Sequence, residues 1–320
     1  MKTQPEFLTL RKHLEQVIVG QNALLDRLMI GILTGGHILL EGPPGLAKTT
    51  AVNALASGIH AGFQRIQFTP DLMPGDLTGT DIFDPKDSSF RFIEGPIFHE
   101  IVLADEINRA PPKVQSALLE AMQEKQVTVG GVTRKLPDLF IVMATQNPLE
   151  QSGTYPLPEA QLDRFLLHVV LTYPSAEDEL LILQRDRNLH YGEDKSPISS
   201  PLMPETVLTA RREVAEVHVA EMLEKYIITL VGATRELQNW KDGWDNYLVA
   251  GASPRASIAL LRASSALAYI RGRDHVIPED ILDVAPDVLR HRIIPGYAAH
   301  ADEVTPDDII QHLLEVVPVP

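Results

Sequence analysis

The chain has 320 residues, of which 44% are hydrophobic, and its formal net charge at pH 7 is −15. That length can bury the cores of two domains, and no apolar run is long enough to span a membrane, so we expect a soluble protein without membrane insertion. The acidic excess disfavours non-specific binding to nucleic acid, which needs clustered Lys and Arg. With no cysteine, disulfides and thiolate metal sites are excluded. Without a charged-then-apolar leader, a cytoplasmic location is favoured.

Two helices are predicted at the start of the chain. Polar and apolar residues alternate at helical spacing from Glu6 to Val17, and a second helix is predicted from Asn22 to about Leu33. The segment IVGQ, residues 18–21, separates them.

A glycine-rich segment follows the first predicted strand, His37 to Leu40. It reads EGPPGLAKTT, residues 41–50, and the next residues, AVNALA, begin a helix. A strand, a glycine-rich turn and a helix N-terminus form the context of a phosphate-binding loop. Backbone N–H groups from Pro44 onward, proline excepted, would face a triphosphate, Lys48 would add a positive charge, and the Thr49 hydroxyl would be a magnesium ligand.

This segment departs from the pattern G-x-x-x-x-G-K-[ST] at one position, where Ala47 replaces the second glycine. A methyl group can still enter a helix, so we expect the loop to persist with Ala47 in right-handed backbone angles. Taken alone, the segment could also be a chance Gly-Pro turn before a helix.

A second segment strengthens the first interpretation. From Ile101 the chain reads IVLADE, which predicts a buried parallel strand that ends in Asp105 and Glu106. Asp105 would hold a magnesium ion through water, and Glu106 would orient or deprotonate the attacking water. Two carboxylates at a strand end are common by themselves, but after a phosphate-binding loop they indicate the second half of an ATPase.

Strands and helices alternate through this half of the chain, which predicts an α/β fold with a five-stranded parallel sheet covered on both faces. The remaining strands are predicted at Phe63–Thr69, Leu139–Thr145 and Leu167–Leu171. Two stretches do not fit this plan. Residues 69–96 predict an inserted loop or hairpin, and residues 126–137 predict a hairpin that turns at Gly130 and Gly131.

Two further polar residues are candidates for chemistry. Asn147 follows the fourth strand, where it could hold the attacking water or the γ-phosphate or be an ordinary turn residue. Arg164 precedes the last strand, and it could pair with a nearby acid or be offered to the nucleotide of a neighbouring subunit. The second role is worth about 10³ to 10⁵ in rate where it operates.

The pattern changes after Pro174. A short helix and a polar connection are predicted for residues 175–200, and only helical periodicity follows. We therefore expect an α/β domain at residues 1–174 and a smaller all-α domain at residues 201–320. Its helices are predicted at Glu205–Val217, Ala220–Leu237, Pro254–Arg271, Pro278–Leu289 and Pro306–Val316.

Together these motifs resemble those of the AAA+ ATPases, and more closely those of the MoxR family. The order is IVGQ, GPPGLAKTT, LADEINRAPPKVQSALLEAMQE, ATQNP, LPEAQLDRF and GASPRA, between Ile18 and Ala256. A single motif of this kind is weak or moderate, but six in order are highly specific. The family tolerates alanine at position 47. The resemblance implies an AAA+ P-loop core of the αβα type followed by an all-α lid.

The resemblance also implies roles for single residues in binding ATP and Mg²⁺. Asp105 and Glu106 match the Walker B pair, with Asp105 and Thr49 as magnesium ligands and Glu106 as a catalytic group. Val19 and Gly20 match the segment that lines the adenine pocket. The Walker A residues that would bind the nucleotide are Gly42, Pro43, Pro44, Gly45, Leu46, Ala47, Lys48, Thr49 and Thr50.

Four matches concern catalysis and subunit contact. By resemblance, Asn147 is the catalytic sensor 1 residue, Arg164 is the arginine finger that acts on the adjacent protomer, and Arg255 is the nucleotide-binding sensor 2 residue in the lid. Arg109 is a second inter-subunit contact or a structural salt bridge. The insert within residues 69–96 and the hairpin near Gly130 match segments that face the pore of a ring.

The function implied by the resemblance is magnesium-dependent ATP hydrolysis in a ring-shaped homo-oligomer, expected to be a hexamer. It would remodel or mature protein partners, among them proteins with von Willebrand factor A domains. One alternative is a nucleic-acid-stimulated AAA+ motor, against which the acidic charge argues. Others are a non-hydrolysing nucleotide-gated scaffold, disfavoured by the set Glu106, Asn147 and Arg164, and a GTP switch, which lacks its N-K-x-D segment.

Overall fold

The protein is described by a computed structural model over residues 1–86, 88–148, 153–190, 201–244 and 246–320. The strands are β1 Ile38–Glu41, β2 Phe63–Gln67, β3 Gly79–Asp84, β4 Ser89–Glu94, β5 Ile101–Asp105, β6 Gln126–Val129, β7 Val132–Lys135, β8 Ile141–Gln146, β9 Leu167–Val170, β10 Leu248–Ala250 and β11 Ile294–Pro295. The helices are α1 Gln4–Val17, α2 Asn22–Thr34, α3 Lys48–Gly58, α4 Pro74–Thr78, α5 Pro112–Glu124, α6 Glu159–Leu162, α7 Ala176–His190, α8 Pro204–Ala215, α9 Glu221–Ala233, α10 Pro254–Ile270, α11 Pro278–Leu289, α12 Tyr297–Ala301 and α13 Pro306–Val316. Within these ranges, every helix is too short or too polar to cross a lipid bilayer.

A parallel sheet in the order β2-β5-β8-β1-β9 forms the centre of the first domain. All five predicted strands are confirmed, one with unchanged bounds and the others with ends that differ by at most two residues. The largest shifts are that β2 ends at Gln67 and that β8 begins at Ile141. A turn closed by the Phe140 N–H and the Pro137 carbonyl (2.9 Å) precedes β8.

Alternate residues along the strands face two separate cores, because side chains alternate between the faces of a sheet. Leu40 and Leu103 belong to the core formed with α1, α2, α3 and the helices of the second domain. Leu39 and Val102 belong to the core formed with α5. Each such fully buried aliphatic side chain contributes about 1.5–3 kcal/mol, so both faces hold the sheet rigidly.

Both predicted inserts contain hairpins. In the first, α4 is followed by the antiparallel pair β3 and β4. In the second, β6 and β7 are joined by Gly130 and Gly131, whose φ values are 58° and 79°. Two consecutive residues with positive φ make the tight turn that matches the twist of a hairpin, which is why the double glycine was informative.

The two hairpins contact each other. The Arg134 guanidinium lies 3.7 Å from the centroid of the Phe92 ring, and its Nη2 lies 3.7 Å from Asp81 Oδ1. Phe83 and Phe90 pair on the same face of the β3–β4 hairpin, nearer its turn, and their side chains are 51% and 73% exposed. The inserts therefore form one projecting unit with an apolar surface.

The second domain is helical, as expected, and packs on the first. Its helix α10 lies against α2 and α11 within the core shared by both domains. The predicted helix from Ala220 ends at Ala233, where the Thr234 hydroxyl donates to the Val231 carbonyl and accepts from the Ala252 N–H. The short antiparallel pair of β10 and β11 was not predicted, because strands of two or three residues leave no periodicity. Of the predicted connection, residues 191–200 lie outside the described residues.

Candidate functional site: a nucleotide pocket and a distant arginine pair

The phosphate-binding loop joins β1 to α3 at the edge where the carboxyl ends of the strands meet, here called the carboxyl edge. Ala47 precedes the first residue of α3 and has φ 54° and ψ 21°, which is left-handed. The expected right-handed angles are therefore wrong. Because the chain must turn sharply into the helix, Gly45 (φ 88°) and Ala47 both take positive φ, and for alanine this conformation costs about 1–2 kcal/mol.

The Lys48 side chain is folded inside this loop. Its Nζ donates hydrogen bonds to the carbonyls of Gly42 (2.6 Å) and Pro43 (3.3 Å). Partial burial lowers the pKa of Lys48, and the nearby carboxylates of Asp105, Glu106 and Glu41 oppose that shift. The ammonium is thus held as a positive charge among loop carbonyls, where an incoming phosphate would gain an attractive partner.

Asp105 lies at the end of β5 with both oxygens occupied. Oδ1 accepts from the Thr145 hydroxyl (2.5 Å), while Oδ2 accepts from Arg65 Nε (2.9 Å) and Nη2 (2.6 Å). Thr145 is 1% exposed, and its hydroxyl also accepts from the Glu106 N–H (2.9 Å). One buried hydroxyl therefore orients both carboxylate residues.

Glu106 has a left-handed backbone, with φ 58°. Its Oε2 accepts from Gln67 Nε2 (2.7 Å) and forms an ion pair with Arg109 Nε (3.1 Å). The ion pair is the salt-bridge alternative that the sequence left open for Arg109. A non-glycine residue in this conformation costs on the order of 1–3 kcal/mol and is typical of functional sites.

These groups surround one cavity of about 400 Å³. Thr49 and Asp105 line it, and Mg²⁺ prefers the hydroxyl and carboxylate oxygens that these two residues carry. Asn147 also lines the cavity, as expected for a residue that follows β8. The remaining lining residues are Pro44–Lys48, Thr50, Arg65, Glu106, Thr145 and Gln146. The residues present therefore fit a magnesium ion with phosphate oxygens as its other ligands.

A second cavity, of about 500 Å³, adjoins the other side of the loop. Val19 is part of its wall, and the neighbouring Gly20 packs so closely on Asp178 that an added Cβ would lie 2.7 Å from the Asp178 Cγ. Tyr173, Pro174 and Ile182 give the cavity an apolar side. An apolar slot beside a phosphate-binding loop suits a flat heterocyclic base.

Arg164 and Arg255 lie elsewhere. They share a cavity of about 240 Å³ with His37, which precedes β1, whereas Lys48 follows β1. The four residues of β1 span about 13 Å, so this cavity lies at the opposite edge of the sheet, here called the amino edge. The structure therefore does not place Arg255 or Arg164 in the nucleotide pocket of its own chain.

The amino edge carries excess positive charge around Asp163. Asp163 Oδ1 accepts from Arg292 Nε (2.8 Å), and Asp163 Oδ2 lies 3.4 Å from Arg255 Nη1. In the described part of the chain, the Arg164 guanidinium has neither a hydrogen-bond acceptor nor an ion-pair partner, and the Arg255 side chain is 62% exposed. Burial lowers the pKa of Arg292, with Arg255 adding to the shift. Asp163 thus pairs with Arg292 and Arg255, and the charge of Arg164 is left without a partner among the described residues.

Sequence reasoning missed Arg65, Thr145 and Gln146, which line the nucleotide pocket, and Gln67, which donates a hydrogen bond to Glu106. Arg65 and Gln67 are two apart on β2, and strand alternation puts them on one face. That signal was present in the sequence, but only the order of strands in the sheet shows that β2 lies beside β5. Thr145 looked like an ordinary end of an apolar strand.

Comparison with known proteins agrees with this architecture. Residues 37–167 match the family model described as "ATPase family associated with various cellular activities (AAA)", and residues 245–313 match an AAA lid domain. A crystal structure of a candidate ATPase from Cytophaga hutchinsonii superimposes with a TM-score of 0.90 at 47% identity. It covers 100% of this chain and 97% of the other.

Similar curated relatives span nearly the whole chain. Chaperone MoxR1 of Mycobacterium tuberculosis is 45% identical over 96% of this chain and 80% of its own length. The uncharacterized protein YeaC of Bacillus subtilis is 44% identical over 97% and 93%. Protein MoxR of Methylorubrum extorquens is 31% identical over 97% and 94%. Similarity of this extent, on a sheet with this phosphate-binding loop and lid, means that the chain belongs to the MoxR family of AAA+ ATPases.

Proposed function

We propose that this protein hydrolyses ATP with magnesium in a ring-shaped homo-oligomer and uses the energy to remodel protein partners. The observation that carries this proposal is the separation of Lys48 and Arg164 on opposite edges of one sheet. A single chain holds a nucleotide pocket at one edge, and at the other it holds Arg164 beside Arg255, which shares the acid Asp163 with Arg292. Two copies placed edge to edge would bring these halves together.

Each residue of the pocket has a distinct part in the proposed reaction. The loop N–H groups and Lys48 bind the phosphates. Thr49 and Asp105 would hold Mg²⁺, which when bound offsets the charge of the β- and γ-phosphates. Glu106 accepts a proton from the attacking water or orients it, and Asn147 fixes that water or the γ-phosphate.

The neighbouring copy supplies Arg164, which stabilises the charge that develops on the γ-phosphate. Arg255 is the second residue of helix α10 and lines the same cavity as Arg164, so we assign its nucleotide contact to the same neighbouring site. Each copy then supplies arginines to one neighbour and receives them from the other, and such a head-to-tail contact forms a ring when the rotation between copies closes. A hexamer is the ring size that the family resemblance implies.

A mixing experiment tests action between copies. Arg164→Ala should lower ATP turnover by about 10³-fold or more, with ATP binding unchanged, because only transition-state charge loses its partner. Lys48→Ala should abolish ATP binding. In a mixture, an Arg164→Ala pocket can receive Arg164 from a Lys48→Ala neighbour, so phosphate release should rise about tenfold or more above either variant alone.

The matched control is Arg212→Ala, which removes an exposed arginine on α8 and should leave turnover unchanged. Wild-type turnover in Arg164→Ala would contradict the assigned role. A lack of recovery at every mixing ratio would contradict catalysis between copies. Light scattering with and without ATP measures the number of copies in the assembly.

The proposed partner is another protein. The apolar side chains of Phe83 and Phe90 project from the first insert, and exposed apolar surface of this kind marks sites of protein binding. One relative is named a chaperone, and the family resemblance suggests a partner with a von Willebrand factor A domain. The Glu106→Gln variant loaded with ATP should bind such a partner stably enough for it to be co-purified. Adding the substitutions Phe83→Ser and Phe90→Ser to that variant should abolish the binding.

A further inference from the structure

Arg65 is a cation on β2 whose side chain reaches across to β5. It donates from Nε (2.9 Å) and Nη2 (2.6 Å) to the same oxygen of Asp105, Oδ2. Its Nη2 also donates to Gln67 Oε1 (2.9 Å). Because Asp105 Oδ1 is occupied by the Thr145 hydroxyl, Oδ2 is the oxygen of Asp105 that a second cation would have to share with Arg65.

The exposure of the two partners indicates which one can move. The Arg65 side chain is 50% exposed, whereas that of Asp105 is 13% exposed. Asp105 is also fixed by the buried Thr145, while the Arg65 guanidinium bonds only to Asp105 and Gln67 among the described residues. Arg65 can therefore swing away at little cost, and it lines the same cavity as Thr49 and Lys48.

From this arrangement we infer that Arg65 holds Asp105 in place before magnesium binds and competes with Mg²⁺ for the Asp105 carboxylate. The inference rests on the proposed function. A guanidinium and a magnesium ion with its water are both drawn to one carboxylate oxygen, and like charges repel at such a distance. Magnesium binding must displace Arg65, so the magnesium requirement of the nucleotide complex reports on this ion pair.

The test measures metal binding rather than turnover. Wild type, Arg65→Gln and Arg65→Lys are loaded with a fluorescent, non-hydrolysable ATP analogue in EDTA, and Mg²⁺ is then titrated while the fluorescence is followed. Arg65→Gln should lower the half-saturating free Mg²⁺ about twofold to fivefold, the range expected for a half-exposed ion pair. Arg65→Lys keeps the charge and should stay closer to wild type. The difference should shrink at raised salt.

Arg212→Gln, an exposed arginine on α8, is the matched control and should behave as wild type. An unchanged or higher magnesium requirement in Arg65→Gln, with analogue binding in EDTA retained, would overturn this inference alone. If wild type binds the analogue neither in EDTA nor with Mg²⁺, the proposed nucleotide site itself fails, and this inference fails with it. Circular dichroism of each variant verifies that the fold is intact.

Discussion

The two edges of the central sheet differ in how far their charged side chains are paired. At the carboxyl edge, acids and bases are matched, since Lys48 and Arg65 lie with Asp105 and Glu106 around one cavity. At the amino edge, Asp163 faces three arginines, and Arg164 is without a partner in the described residues. The carboxyl edge therefore has its charges paired within the chain, whereas the amino edge has positive charge left over that an anion could neutralise.

Under the proposed function, this difference would make catalysis depend on assembly. Parallel strands have two chemically distinct ends, and the strand length separates them by more than the reach of a side chain. A residue at one edge therefore cannot serve the other edge of the same molecule. With Arg164 and Arg255 at the amino edge, the proposed function requires both to act on the nucleotide of a neighbouring copy.

The largest effect that tests this comparison is expected from Glu106→Gln, which alters the carboxyl edge only. Glutamine keeps the size of the side chain but cannot accept a proton, so turnover should fall about 10² to 10⁴-fold while equilibrium ATP binding is retained. Phosphate release and nucleotide binding measure the two quantities. Glu120→Gln, at an exposed position on α5, is the control.

Because its amino edge is intact, Glu106→Gln protein should still rescue Arg164→Ala protein in a mixture. Normal hydrolysis by purified Glu106→Gln protein would refute the role given to Glu106.

A smaller effect is expected at the amino edge, where the buried His37 should make the stability of the fold depend on pH. Burial lowers the pKa of His37 from 6.5 to about 4, and its ring bonds to the Met122 carbonyl and the Val142 N–H. The unfolded chain takes up the proton first as pH falls, so stability is full above about pH 6.5 and is lost as pH drops toward 4. At pH 5 the wild type should lose about 2 kcal/mol of its free energy of unfolding through His37, relative to pH 7.5.

Urea unfolding of wild type and His37→Asn at both pH values measures this contribution. The variant should be less stable at pH 7.5 and should lose less on acidification. His300→Asn, at an exposed position on α12, is the control, and its free energy of unfolding should change with pH by the same amount as that of wild type. Equal pH dependence in wild type and His37→Asn would show that the protonation of His37 is not linked to folding.

The smallest effect is expected from Ala47→Gly in the phosphate-binding loop. Glycine removes the cost of a left-handed alanine but adds chain entropy to the unfolded state, so a net stabilisation of about 0.5 kcal/mol is expected. Ala54→Gly, within α3, should instead destabilise by about 1 kcal/mol. Thermal unfolding of both variants measures these changes in stability. A lower stability of Ala47→Gly than of wild type would contradict the proposed cost of the left-handed conformation at Ala47.

Much of this architecture could be predicted from the sequence, because its signals are local. The loop before Lys48, the apolar strand before Asp105 and the double glycine at Gly130 and Gly131 each fix a short stretch of backbone. The backbone conformation of Ala47 was mispredicted because the presence of alanine in place of glycine does not show which φ and ψ angles the loop requires at that position. Helical periodicity also predicted the lid but not where it packs.

What could not be predicted depends on contacts between distant segments. Arg65 meets Asp105 only because β2 and β5 are adjacent, and Arg255 meets Asp163 only because the lid packs where it does. Strand order and domain packing arise from tertiary contacts that no window of sequence contains.

The contact between the two hairpins has a mechanical consequence. Since the Arg134 guanidinium stacks on Phe92 and lies near Asp81, a force applied to the tip of one hairpin is transmitted to the base of the other. We therefore expect the two hairpins to move together rather than independently when either one is displaced.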